Sequence, residues 1–355
     1  MLTQYEPLET LAPALFGNVE KWRYLPTNEC VAVKRMELRY AARKRSKSAE
    51  CAVEEDLLTE IKINLRIQSL GGHSNVLPLR DCIMDDKAVL LVLKFCPQGE
   101  LLDVINNKRA AGHPIDTLHY FAQILRGAAF LHANDIAHRD LSLENVLVDE
   151  FDRCYITDFG LSTQCQGKLD VKPVGKLRYT APEVSGAMMY QGEQLNEYDP
   201  KMADVWALGV MLYAMVAGRY PFREPLRTDN RFKLLEDFGV DYLLEKDDVE
   251  LRGEKVKNLL RKLLVVDPSK RSTLAELESY LALHGVDTKS ESVVAQEQSV
   301  KLVQQAPIPT SQDTRQRVRS LGRFSKGSLA SVRPITPVIE ARKANKRLPS
   351  TNQQV

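Results

Sequence analysis

Cysteine is scarce and scattered: six residues in 355, at positions 30, 51, 82, 96, 154 and 165. None is spaced as CxxC and none has a histidine companion, so the sequence supports neither a zinc site nor a disulfide framework. Reduced thiols in an intracellular compartment are expected. The first ten residues, MLTQYEPLET, lack the basic and apolar stretches of a secretory signal. No apolar run is long enough to span a bilayer, and the longest, Val205 to Gly218, reads as a buried helix. A cytoplasmic chain without a membrane partner is expected, with a nuclear location left open. Aromatic residues make up only 7% of the chain and nearly vanish after position 290, which argues against base stacking on nucleic acid.

A bulk excess of one charge is also missing, but the net +2 hides an asymmetry. From Ser311 to Val355 ten Lys/Arg face two acids, about +8, which leaves the rest of the chain near −6. An acidic body therefore carries a basic tail. The hydrophobic fraction of 44% and charged fraction of 27% suit a large soluble core, arranged as one domain or two lobes. Residues 286–355 turn to Gln, Ser, Thr, Pro and Lys/Arg, a composition expected to be disordered.

Residues 5–95 read as a small β-rich lobe. Apolar runs over 8–11, 19–22, 31–35, 76–79 and 88–93 predict five strands, with a helix over 52–70 between the third and fourth. Residues 96–285 read as mainly helical. Leu118, Phe121, Ala122, Leu125, Ala128, Ala129 and His132 recur at helical spacing, with His132 as a packed member of the stripe.

That stripe feeds into His138-Arg139-Asp140-Leu141-Ser142-Leu143-Glu144-Asn145-Val146-Leu147-Val148, read as a strand–loop–strand hairpin, and then Asp158-Phe159-Gly160. A carboxylate and an amide five residues apart, with a second carboxylate thirteen residues on, suit phosphoryl transfer. One carboxylate orients an attacking hydroxyl, while the amide and the other carboxylate hold Mg²⁺ against phosphates. The arrangement resembles the HRD-x₄-N catalytic loop and DFG turn of eukaryotic protein kinases. Ala181-Pro182-Glu183, Asp204-Val205-Trp206-Ala207-Leu208-Gly209, Pro221-Phe222, Asp267-Pro268 and Arg271 extend the resemblance over about residues 5–285. It implies a two-lobed α+β fold and an ATP- and Mg²⁺-dependent transfer to protein Ser/Thr hydroxyls.

The resemblance also implies roles for named residues. Asp140 is the base-like carboxylate, Asn145 and Asp158 hold the metal, and Lys34 of Val31-Ala32-Val33-Lys34 steadies the ATP phosphates. Glu60 is the expected helix partner of Lys34, with Glu54 and Glu55 as alternatives, and Asn64 stands where an apolar residue is usual. Leu11, Ala12, Leu15, Phe16, Gly17, Val19, Ala32, Leu93, Cys96, Glu100 and Leu147 complete the nucleotide site. Among these Leu93 is the gatekeeper, Cys96 meets adenine through its backbone, and Glu100 faces the ribose. His138 is expected to stack beneath Phe159, Asp204 to anchor the catalytic-loop backbone, and Arg271 to pair with Glu183.

The departures from the family are themselves absences. Two glycines of the phosphate-binding loop are replaced by Ala12 and Ala14 around Pro13. The lysine usual two residues after the catalytic aspartate is replaced by Ser142, while Lys176 stands where threonine is usual. The expectation is that Lys176 reaches back to Asp140 and restores the missing cation. No Ser or Thr occurs between Gln164 and Tyr179. Activity without activation-segment phosphorylation follows, with Asp170 as a fixed partner for Arg139. The alternative reading is a pseudokinase scaffold, favoured by Ala12, Pro13, Ala14, Ser142 and Asn64. Expected partners are protein substrates with basic Ser/Thr sites, matching Glu144 and the acidic body, and the chain's own tail held against the groove.

Overall fold

The computed structural model describes residues 2–43, 54–165, 167–170, 174–185, 189–190, 193–194, 197–249 and 254–286. The expected tail contact therefore lies outside the described residues.

Five strands form an antiparallel sheet in the order β1-β2-β3-β5-β4: β1 Tyr5–Ala14, β2 Gly17–Tyr24, β3 Glu29–Glu37, β4 Leu79–Met84 and β5 Ala88–Lys94. Alternation along β3 and β5 sends Val31, Val33, Leu90 and Val92 into a core with Tyr5, Trp22 and Ile83. The intervening residues face the other way. Register places Lys34 opposite both Val19 and Leu91, and Ala32 opposite Leu93. Because residues directly opposite share a face, Val19, Ala32, Lys34 and Leu93 look out on one side of the sheet. The fourth strand corrects the sequence reading: it starts at Leu79, not Val76. Val76 instead bridges Ile156 of the large lobe, and its apolar run is buried by that contact.

A single helical turn, α1 (Leu38–Ala41), follows β3. Helix α2 (Leu57–Ser69) begins where the Asp56 carboxylate accepts from the Leu58 and Thr59 amides, satisfying two free N-terminal donors. Its inner face buries Leu57, Glu60, Ile61, Ile63, Asn64 and Ile67. Asn64 is accommodated because its amide donates to the Glu60 carbonyl one turn back at 2.9 Å.

The large lobe contains α3 (Leu101–Ala110), α4 (Thr117–Ala133), α5 (Pro200–Ala217), α6 (Asn230–Lys246), α7 (Glu254–Leu263) and α8 (Leu274–Leu283). Helix α5 is apolar nearly all round and buried from Asp204 to Met215, as a central helix must be. Trp206 on it packs against the rings of Phe222 and Phe232. No helix among the described residues is long and apolar enough to cross a membrane.

Short strands carry the loops between these helices. They are β6 (Gly99–Glu100), β7 (Ile136–Ala137), β8 (Val146–Val148), β9 (Cys154–Ile156), β10 (Thr163–Gln164) and β11 (Leu169–Asp170), followed by β12 (Met189–Tyr190), β13 (Glu193–Gln194) and β14 (Glu197–Tyr198). The expected hairpin around Asp140 is not one. Strand β7 pairs with β10, whereas β8 pairs with β6 and β9, so two separate ribbons grip the two ends of the loop.

The two halves of the large lobe are joined by Arg271. Its Nη1 and Nη2 donate to Glu183 Oε1 and Oε2 at 2.5 and 2.7 Å, with both side chains essentially buried. The same guanidinium donates to the carbonyls of Val265, Val266 and Met202, so its donor sites are broadly used. Glu183→Gln leaves that buried cation without its counter-charge. Urea unfolding is expected to show a loss of about 3–5 kcal/mol.

Candidate active site

The site is assembled on Asp204, a buried carboxylate of α5. Its Oδ2 accepts from the His138 amide at 2.7 Å and its Oδ1 from the Arg139 amide at 2.8 Å. His132 Nε2 lies 2.9 Å from the same Oδ2, so this histidine of the helical stripe is packed and hydrogen-bonded. The His138 ring sits 5.3 Å from the ring of Phe159 and bonds the Thr157 carbonyl, tying the catalytic loop to the Asp158-Phe159-Gly160 turn.

Held this way, Asp140 receives contacts from two directions. Asn145 Nδ2 donates to its backbone carbonyl and to its Oδ2, each at 2.7 Å. From the activation segment, the Lys176 amide donates to Oδ1 at 2.9 Å and Lys176 Nζ to Oδ2 at 2.9 Å. Lys176 Nζ also lies 3.1 Å from Ser142 Oγ, which is fully buried. Gly175 makes this approach possible. It adopts φ +80°, and a Cβ there would fall 2.7 Å from the Arg139 carbonyl and 3.0 Å from Asp140 Oδ1.

On the sheet side, Lys34 Nζ donates to Glu60 Oε1 at 2.7 Å and Asp158 Oδ1 at 2.9 Å. Burial pulls the ammonium's pKa down, but the two carboxylates more than offset it and hold Lys34 protonated. Burial would likewise raise Asp158, yet the Lys34 cation keeps its carboxyl below the usual range. Asp158 therefore presents an anion to the cleft. Glu60, not Glu54 or Glu55, is the carboxylate bonded to Lys34.

The residues expected at the nucleotide differ in burial. Ala32, Leu93 and Cys96 are buried, Val19, Leu15 and Leu147 half-buried, and Leu11 and Ala12 exposed. Pairing of β6 with β8 sets Glu100 opposite Leu147. At the tip of the β1–β2 hairpin Phe16 is buried, and its carbonyl accepts from the Glu37 amide at 2.8 Å. The surviving glycine of this loop is fixed by strand packing. A Cβ on Gly17 would lie 1.9 Å from the Arg35 carbonyl.

The sequence that builds both lobes matches known proteins. A sequence model of the protein kinase domain matches residues 5–281. The chain is 31% identical over 286 residues to the serine/threonine-protein kinase SAPK3 of Oryza sativa subsp. indica, covering 79% of this chain and 77% of that one. It is 32% identical over 283 residues to the serine/threonine-protein kinase SRK2J of Arabidopsis thaliana, covering 79% and 76%. NUAK family SNF1-like kinase 1 of Homo sapiens is 27% identical over 278 residues, with 78% and 38% covered. The chain belongs to the protein kinase family. Kinases of this family use ATP with a divalent metal, and phosphorylate proteins.

Several contacts of this kinase were not legible in its sequence. Arg139 does not meet Asp170. Its Nε donates to the Tyr198 hydroxyl at 3.1 Å and its Nη1 to the Leu161 carbonyl at 3.3 Å. Asp170 is taken elsewhere by the pairing of β11 with β14, which sets it opposite Glu197. The Tyr179 hydroxyl accepts from the Leu143 amide at 3.3 Å and donates to Glu144 Oε2 at 2.8 Å, so the activation segment also fixes Glu144. At the hinge Lys94 Nζ donates to Asp149 Oδ2 at 2.8 Å, joining the end of β5 to the large lobe. No local motif announces these pairs, because each joins residues more than 20 positions apart.

Glu55 is the other addition. It lies against Gly160, with its Oε2 3.2 Å from where a Cβ on that glycine would stand. Burial and the nearby charge of Asp158 push its carboxyl up to about 7, against partial relief from Lys34. A carboxyl raised in the folded state binds its proton more tightly there, so the contribution of Glu55 to stability is greatest at low pH and falls as pH rises from about 4.5 through about 7. Glu55→Gln is expected to flatten that fall. Thermal melts should show the variant gaining about 1–2 kcal/mol over the parent at pH 8 and little at pH 5.

Proposed function

We propose that this kinase transfers the γ-phosphoryl group of Mg²⁺-bound ATP to serine and threonine hydroxyls of proteins, with its missing catalytic-loop lysine replaced by Lys176. The observation that carries the reading is the convergence on Asp140 of Asn145 and Lys176, opposite the Lys34–Glu60–Asp158 set. The serine/threonine kinases named above support the acceptor class.

In the proposed step Asp140 orients the acceptor hydroxyl. The hydroxyl oxygen bonds to the γ-phosphorus as the bond to the β,γ-bridging oxygen breaks, and the electron pair leaves with ADP. The hydroxyl proton passes to Asp140. Lys34 grips the α- and β-phosphates, and the hairpin tip Leu15–Gly17 covers them. Leu11, Ala12, Val19, Ala32, Leu93, Cys96 and Leu147 enclose adenine, and Glu100 reaches the ribose.

The donor set fits a magnesium ion. Asp158 offers an ionised carboxylate and Asn145 an amide oxygen, both hard ligands. Among the described residues no cluster of three or more His, Cys, Asp or Glu could hold a metal alone. Phosphate oxygens and water therefore have to complete its shell, as in a metal–nucleotide complex. Such an ion neutralises charge on the transferring group.

Lys176 lies within hydrogen-bonding distance of both Asp140 and Ser142, so its ammonium stands where a lysine two residues after Asp140 would reach. Lys176→Met is expected to lower kcat about 10²–10³-fold, as removing a transition-state donor does. Adding Ser142→Lys to Lys176→Thr should recover at least tenfold of the loss in a peptide phosphorylation assay. No recovery would count against relocation.

Charge favours basic substrates in this reading. Burial raises the Glu100 carboxyl, helped by Asp103 and Glu144 close by and opposed by Lys176, and this acidic cluster would attract a cationic peptide. Combined Glu100→Gln and Glu144→Gln substitutions should raise KM about tenfold for an arginine-containing peptide and leave a neutral peptide within twofold. Cytoplasmic residence accords with the thiol pattern.

A further inference from the structure

Between Gln164 and Thr180 the activation segment of this kinase has no hydroxyl other than that of Tyr179. That tyrosine is buried, and its hydroxyl is engaged by Leu143 and Glu144. Arg139, adjacent to the catalytic Asp140, nevertheless needs a partner, since a half-buried guanidinium has five donors to satisfy. It also sits on a left-handed backbone, φ +66°, that costs free energy in a non-glycine residue.

Arg139 Nη1 reaches the Leu161 carbonyl at 3.3 Å, and the side-chain partner is Tyr198. Its ring is 3% exposed, and its hydroxyl accepts from Arg139 Nε at 3.1 Å. Tyr198 belongs to β14, which pairs with the activation-segment strand β11 and places Leu169 opposite Tyr198. One residue thus touches both the catalytic loop and the segment that delivers Lys176. Beside this contact lies a small cavity of about 20 Å³ lined by Arg139, Tyr198, Thr180 and Asp204.

We infer that Tyr198 is a positioning residue that holds Arg139, and through it Asp140 and Lys176, in the competent arrangement without a phosphate on the activation segment. The inference rests on the kinase reading above. The interaction is a neutral hydroxyl on a cation, so the segment is set by folding and is not switched by modification. The acceptor hydroxyl comes from the strand just before α5, whose start is fixed by the Asp199 cap on the Lys201 amide. Arg139 is thereby held twice, by its amide on Asp204 of α5 and by its side chain on Tyr198 of the strand that leads into α5.

The test uses the full chain, with Mg-ATP and an arginine-containing peptide. Asp140→Asn serves as the separate control: transfer that survives it overturns the kinase reading itself. Treatment of the parent with a broad-specificity phosphatase is expected to change kcat by less than twofold. Tyr198→Phe keeps the ring and removes the hydroxyl, and is expected to lower kcat about five- to tenfold with KM for ATP within twofold. Arg139→Met should lower kcat similarly, and the double variant should be no worse than Arg139→Met alone, because the two groups act through one contact. The inference is overturned by a Tyr198→Phe kcat within twofold of the parent, or by losses that multiply in the double variant. It is overturned equally by a parent enzyme inactivated by phosphatase, a result that needs no variant to fold.

Discussion

Everything at this site hangs on the carboxylate of Asp204. A buried anion is costly unless its oxygens are filled, and here they take the amides of His138 and Arg139, with His132 beside them. These bonds hold Arg139 in its left-handed conformation and aim Asp140 at the cleft. Because Asp204 sits on the most deeply buried helix, the catalytic loop inherits the rigidity of the core. The two β-ribbons at the ends of the loop leave it little freedom to move independently.

Against that fixed loop, the activation segment brings Lys176 onto Asp140, where on the proposed reading it stands in for the cation the loop lacks. A lysine delivered from within the loop and one delivered from across the groove can place an ammonium at the same point, because four methylenes span the difference. The backbone is what limits the exchange. Only a residue without a Cβ lets the segment come close enough for the Lys176 amide to reach Asp140, and Gly175 occupies that place. The small side chain of Ser142, wholly enclosed, leaves room for the incoming ammonium. The serine and the lysine are thus two halves of one arrangement.

The small lobe shows the opposite economy. Its hairpin has lost two of the glycines expected of a phosphate-binding loop, and the one retained is required by the Arg35 carbonyl beneath it. Lys34 is held by carboxylates from two different elements, Glu60 on α2 and Asp158 after β9, so the ion pairs report that helix, sheet and turn are assembled together. Glu55, a third carboxylate near this set, adds repulsion that Lys34 only partly relieves, a cost that structures commonly carry near functional sites. At the back of the cleft Lys94 and Asp149 join the lobes through a pair whose carboxylate is fully buried.

Much of this was written in the sequence. The spacing of Asp140, Asn145 and Asp158, the valine alternation that orients Lys34, and the apolar run of α5 are local patterns. Local patterns fix periodicity, and periodicity decides which face a side chain takes. The substitution of Ser142 together with the appearance of Lys176 could also be read as a pair, since each stands at a position of defined role. The start of β4 was misread because an apolar run at Val76 can be buried by another lobe as well as by a sheet. The supposed hairpin failed for a related reason: two strands flanking a loop need not choose each other. The partner of Arg139 was decided by tertiary structure alone. Asp170 is the obvious charge in the segment, but strand pairing turns it toward Glu197 and brings up Tyr198, a residue with no motif to mark it. Sequence determines which groups are available and which way each faces along its own element; which of them meet depends on how distant elements pack.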